Sequence, residues 1–257
     1  MPTLETRSRS ADQTPAATRG GDGRIVFEER ISDSPLVERV WRSRSERAGT
    51  FQSIATAHWE MVVSRHGGRA FFTVRGPETR ATSAELPGDG EWVAIRFRLG
   101  TFMPLLPPGA LRDRNDVTLP DAASRSFWLA GSAWEHPGFE NAETFVRRLE
   151  RAGMIAFEPA VQAVLRGAAP ELRLRTEQRR FLRATGITQG AARQIARARR
   201  AAILLREGAS ILDTAFETGY YDQAHLTRSL RRFVGQTPAE VARGERQLSF
   251  LYKTEPG

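Results

Sequence analysis

"GYYDQAHLTRSLRRFVGQTP", residues Gly219–Pro238, decides how the rest of the chain is read. Placed at 100° intervals, Leu226, Leu230, Phe233 and Val234 fall within about a third of a helical circumference. Arg228, Arg231, Arg232 and the small Ala224 lie roughly opposite. A second helix starts near Asp222, with Asp or Gln near its positive N-terminal end. Upstream, "SILDTAFETG" begins with Ser210 as a cap and Asp213 three residues on. Ile211, Leu212, Ala215 and Phe216 form its apolar face, and Gly219 permits a tight turn. Two short helices about a glycine turn, apolar inside and basic outside, make a helix-turn-helix. A two-helix hairpin with a solvated basic face is the plainer reading of the same pattern.

Charge separates this region from the rest. The chain of 257 residues carries a formal charge of +8. Residues 1–150 hold 20 arginines against 20 acidic residues, so the whole excess lies beyond them, 18 basic against 10 acidic. Such asymmetry points the C-terminal part toward an anion, either nucleic acid or merely solvent counterions. Lys253 is the only lysine, a bias that fits guanidinium chemistry and a GC-rich coding sequence alike. There are no cysteines, which excludes disulfides and thiolate metal sites. No apolar run approaches the roughly 20 residues of a membrane helix, and the polar N-terminus has no signal-like core. A cytoplasmic protein without a membrane partner is the expectation.

The pattern changes near residue 153. Residues 1–23 read as a disordered tail and 24–153 as a β-rich unit. In "WVAIRFRL" (Trp92–Leu99), Val93, Ile95, Phe97 and Leu99 alternate with Arg96 and Arg98, predicting an inward apolar face and an outward basic one. "HWEMVVSR" and "RAFFTVRG" flank "HGG" (His66–Gly68) as a hairpin. "SFWLAGSAWE" near Phe127 reads as one further strand, and the whole as a small sandwich or barrel. "NAETFVRRLERAG" predicts a helix capped by Asn141, with Phe145 and Leu149 inward and Gly153 closing it. Beyond it everything reads as helix, so the fold class is α+β, a β-rich unit followed by an all-α one.

The Gly219–Pro238 stretch resembles the second helix-turn-helix of AraC/XylS-type transcription regulators. The resemblance rests on Gly219, Tyr220, Asp222, Gln223, His225, Leu226, Thr227, Arg228, Leu230, Arg231, Arg232, Phe233, Gly235, Thr237 and Pro238. "LRTEQRRFLRATGITQGA" from Leu174 resembles the family's first recognition helix through Arg175, Gln178, Arg179, Phe181 and Gly186. "RQIARARRAAILLREG" supplies a connecting helix, with Ile195, Ala198, Ala202 and Leu205 on one stripe and Gly208 at its end. In front of them, "FEPAVQAVLRGAAPE" reads as one helix and a turn. The likeness spans about 95 residues, Pro159 to Lys253. Glu177 departs from the family's inward leucine, and a buried carboxylate without a partner costs several kcal/mol. It is expected to pair with Arg173 or Arg180, or else this helix sits loosely.

The resemblance implies a double-stranded DNA reader over residues 154–257, with base contacts from Arg175, Gln178, Arg179, Gln223, Ala224, Thr227 and Arg228. Arg231, Arg232 and the amides around Thr237 would meet phosphate. RNA polymerase, a small-molecule effector and a second copy of the chain are partners the family implies. So is a cupin-like sensing or dimerisation unit over residues 24–153. Tyr220 reads as packing, and His225 as a backbone contact or a filler of the helix shoulder. No cofactor, metal or catalytic residue is assigned. His58, His66 and His136 lack the His-x-His pairing of a metal cupin, and no nucleophile elbow or phosphate loop occurs. Trp59, Trp92, Trp128 and Trp134 fill a core or line an apolar pocket. An enzyme with accessory basic helices and a non-specific nucleic-acid binder are the competing readings. A DNA-repair variant of the family depends on reactive cysteines, which are absent.

Overall fold

A computed structural model describes residues 25–113, 116–165 and 174–244. The expectations for the tail 1–23, the turn after residue 165, Arg173 and the stretch up to Lys253 lie outside the described residues.

A six-stranded antiparallel sheet runs in the order β1 (Ile25–Ile31), β2 (Val37–Ser45), β7 (Glu91–Phe97), β4 (Glu60–His66), β5 (Arg69–Arg75) and β9 (Val117–Leu119). β4 and β5 form the expected hairpin, with His66 opposite Arg69 and Gly67–Gly68 in the turn. One face is the main core. There Met61, Val63, Phe72, Val74, Ile95 and Phe97 pack against Phe127, Trp134, Phe145 and Leu149. Phe127 and Trp134 come from a hairpin, β11 (Ser126–Leu129) and β12 (Ser132–Glu135), with β10 (Asp121–Ala123) beside it. The single strand expected here is therefore two, folded back through Ala130 and Gly131, both at positive φ. Phe145, Val146 and Leu149 come from α1 (Ala142–Arg151). Asn141 is its N-cap residue, but its side chain accepts from the Gly138 amide and not from the helix. Arg30 clasps Glu143 through two hydrogen bonds of 2.6 and 2.8 Å, tying α1 to β1. Those bonds, opposed by burial, hold the Glu143 carboxyl at about 2.

The second face is covered too, and this overturns the outward basic face expected for β7. Arg96 is 2% exposed and donates to Glu60 at 2.6 Å. Arg98 turns aside to the carbonyls of Ser34 and Val37. A desolvated guanidinium requires such a partner, and removing either member of a buried pair costs about 3–5 kcal/mol. Next to this pair on the same face Trp41, Val62 and Ala94 form a small apolar cluster with Phe27 and Trp92. The cover there is a two-stranded ribbon, β3 (Gly49–Ser53) with β6 (Thr82–Leu86). Trp92 and Trp41 line a cavity under the ribbon. Trp59 stacks on Phe97 in the core, Trp134 is buried, and Trp128 is exposed.

The helical part comprises α2 (Pro159–Leu165), α3 (Leu174–Thr185), α4 (Gln189–Arg206), α5 (Ile211–Glu217), α6 (Gln223–Phe233) and α7 (Pro238–Arg243). One short strand intervenes where only helix was expected. β13 (Ala156–Phe157) pairs with β8 (Thr101–Phe102), so the chain returns to the β-rich part before entering α2. The helical core also takes Ile54, Ala55 and Ala57 from the β-rich part. The core changes with the architecture, from one cluster that ends at Ile155 to another that begins at Val161, and these three residues join the second to the β-rich part.

Candidate nucleic-acid interface

Both helices of the second motif start on side-chain caps. Ser210 Oγ accepts from the Asp213 amide at 3.0 Å, and Asp222 Oδ1 accepts from the His225 amide at 2.6 Å. Each satisfies one amide that helix geometry leaves orphaned. Gly219 occupies the turn with φ +71. Leu226, Leu230, Phe233 and Val234 are buried, as their spacing predicts. Tyr220 is a packing residue. Its hydroxyl shares a hydrogen bond with Ser229 at 2.7 Å, and Arg197 lies over its ring at 4.5 Å. His225 meets the same ring edge-on at 5.0 Å, so it fills the helix shoulder.

The opposite side of α6 is open. Gln223, Ala224, Arg228, Arg231 and Arg232 are exposed, and Thr227 is half-exposed. The Thr227 hydroxyl donates to the Gln223 carbonyl at 2.8 Å, which leaves its oxygen to accept. Thr237 sits in a capping box: its amide donates to Glu240 at 2.6 Å, and its hydroxyl accepts from the Glu240 amide. That amide is already engaged by a carboxylate. The apolar face expected for α5 is wrong in part, because Ala215 is buried while Leu212 is 74% and Phe216 86% exposed. Small Thr214 and Ala215 make the inner contact of this seven-residue helix instead. Tyr221, 93% exposed one residue before the α6 cap, was not singled out from the sequence. The Tyr220–Tyr221 doublet was its signal, since one ring enters the core and its neighbour points away.

In the first motif Phe181, Ala184 and Ile187 are buried, and Arg175, Gln178 and Arg179 are exposed. Glu177 is half-buried, and its Oε2 has no hydrogen-bond partner among the described residues. The expected partner Arg180 turns to Glu158 at 2.6 and 3.0 Å. Burial pushes the Glu158 carboxyl up, but the bonds from Arg180 outweigh it and leave it below its ordinary value. Thr188 caps α4 through the Ala191 amide, and Ile195, Ala198, Ala202 and Leu205 form its buried stripe. Arg199 of α4 lines a cleft of about 520 Å³ with Glu38, His58 and Arg96 of the β-rich part. Burial and the neighbouring Arg96 push Arg199 down to about 9, so it stays charged at neutral pH.

The β-rich part braces both recognition helices at their C-terminal ends. A Cβ on Gly186, after α3, would lie 2.5 Å from the Gly109 nitrogen and 2.6 Å from the Pro108 carbonyl carbon. Only glycine fits so close an approach. After α6, a Cβ on Gly235 would lie 2.6 Å from Gln52 Nε2.

Two exposed Arg/Gln helix faces, joined by a long helix with one buried stripe, define a DNA-binding unit of the helix-turn-helix class. Residues 171–244 match a family model described as a helix-turn-helix domain, of the AraC type. This segment is an AraC-like DNA-binding domain, and the chain is in class a DNA-binding transcription regulator. No curated protein and no solved structure matches the chain. Among the described residues no helix is long and apolar enough to cross a membrane, and no group of three or more His, Asp or Glu is placed to hold a metal ion.

Proposed function

We propose that the protein reads a specific DNA sequence in two successive major grooves, one per recognition helix. The observation that carries this is the pair of exposed faces, Arg175, Gln178 and Arg179 on α3 and Gln223, Ala224, Thr227 and Arg228 on α6. Arg179 and Arg228 each take a guanine edge by paired hydrogen bonds, and Ala224 meets a thymine methyl. Arg231, Arg232 and the exposed Tyr221 touch the sugar-phosphate backbone and set register. Thr237 reaches phosphate only by giving up its bond to Glu240. The β-rich part over residues 24–153 modulates the reading unit over residues 154–257 through a small-molecule effector or a partner. A second copy and RNA polymerase are the partners that control of transcription calls for.

The test is selection of random duplex DNA by the full-length chain, because Ile54, Ala55 and Ala57 belong to the helical core. A split motif with centres about 10 base pairs apart is the expected result. A single half-site would leave α3 as a positioning helix. Recovery of no motif, with affinity governed by salt alone, would overturn sequence-specific reading.

A further inference from the structure

The β3–β6 ribbon touches two things at once. Its inner side roofs a cavity of about 320 Å³ on the sheet, where Phe51 and Leu86 of the ribbon face Trp41 and Trp92. Ser64 and Thr73 add hydroxyls to the floor. Arg75 and Asp116, at one end, compensate each other at 3.2 Å. Such a site suits a neutral planar ligand, with rings against the indoles and a hydroxyl or carbonyl toward the floor.

The ends of the same two strands hold α6. Just past β3, the Ala55 amide donates to the Phe233 carbonyl at 2.8 Å; just before β6, the Ala81 amide donates to the Arg232 carbonyl at 2.8 Å. Those two carbonyls belong to the last turn of α6, where no helical amide reaches them. Gln52 ties the strands together by donating to Thr82 O at 3.0 Å, and it abuts Gly235. Pairing is unbroken from Gly49–Leu86 to Ser53–Thr82. A shift of Phe51 or Ala84 over the cavity is therefore carried within three or four residues to the amides that hold α6. Close-packed elements move between discrete arrangements rather than deform smoothly, and a ligand that prefers one arrangement shifts the population toward it.

We propose that the β3–β6 ribbon is the coupling element of this protein. A neutral, planar, mostly apolar ligand seated beneath it displaces the two hydrogen bonds that hold the last turn of α6, and so changes the affinity of the second reading helix. The inference rests on the DNA-reading function proposed above and adds the ligand class and the route by which it acts.

The test uses the full-length chain, with 2-naphthol as the soluble probe and Ala84→Phe as a permanent filling of the cavity. The probe should quench tryptophan fluorescence of the parent protein and not of Ala84→Phe. Probe and substitution should each change hydrogen exchange at the Ala55 and Ala81 amides about tenfold. Each should change affinity for the selected duplex about tenfold, within the usual range of coupling, and only while the half-site read by α6 is intact. Absence of quenching overturns the ligand class. Unchanged exchange at the two amides, in a variant with parental circular dichroism, overturns the coupling, as does an equal effect on both half-sites. If Ala84→Phe does not fold, Ala84→Val is read in the same way. Should no duplex be enriched, the DNA reading fails on its own, and exchange at Ala55 and Ala81 still decides the ribbon.

Discussion

The two helix-turn-helix units are built to different standards. In the second, α5 and α6 start on side-chain caps, α6 buries three apolar residues, and its last turn is held by the β3–β6 ribbon. In the first, half-buried Glu177 of α3 has a buried oxygen without a hydrogen-bond partner among the described residues, and Arg180 turns its guanidinium to Glu158. Both present arginine and glutamine to solvent. The difference teaches that a reading face and a firm seat are separate properties. The face needs only exposed side chains at the right spacing, whereas the seat needs satisfied polar groups and long-range bracing.

The largest effects should come from the seats themselves. Phe181 and Phe233 anchor the two recognition helices in one shared core. Phe181→Ala and Phe233→Ala are each expected to cost about 3–5 kcal/mol in urea unfolding. A cost below about 1 kcal/mol for Phe181→Ala alone would show that α3 is loosely docked, and would sharpen the contrast between the two units.

Next come the faces. Arg228→Ala should remove about 1–3 kcal/mol of discrimination at one base pair, and Arg179→Ala the same at another. Binding to a panel of single-base variants of the selected duplex measures both. If Arg228→Ala weakens every sequence equally, Arg228 grips phosphate. If only Arg179→Ala does so, the first unit positions while the second reads.

A cap is worth less. Asp222→Ala removes the acceptor for the His225 amide and should cost about 1 kcal/mol. The loss should concentrate as faster exchange at the first turn of α6. Uniformly faster exchange through α3 to α7 would mean that the cap stabilises the core as a whole.

The parts of this contrast that were legible in the sequence are the local ones. Ser210 with Asp213, Asp222 at the start of α6 and the Leu226–Leu230–Phe233 stripe are patterns within a few residues, and the structure keeps them. Misreadings arose where a distant layer decides. Arg96 alternates like a solvent-facing residue, yet the second face of the sheet is covered. Leu212 and Phe216 look inward on a wheel, but a helix of seven residues packs through whichever side its neighbours α4 and α6 cover, and here the buried residues are Thr214 and Ala215. The bonds from Ala55 and Ala81 to α6 have no sequence signature, because they join backbone groups some 150 to 180 residues apart.

The smallest effect is the most discriminating. Glu177 of α3 is half-buried, with one buried carboxylate oxygen lacking a hydrogen bond among the described residues. A stranded acceptor costs about 1–3 kcal/mol when fully buried, and this residue is only half-buried. Glu177→Leu is therefore expected to stabilise the chain by about 1 kcal/mol, read as a higher urea midpoint at unchanged slope. It should also firm the seat of α3 without touching Arg175, Gln178 or Arg179, which point to solvent. If α3 reads bases, affinity for the half-site it meets should rise along with stability. A more stable chain with unchanged affinity would leave α3 a positioning helix, and all base reading would fall to α6. A lower midpoint would mean that Glu177 has a satisfied partner, and the contrast between the two units would lose its main support.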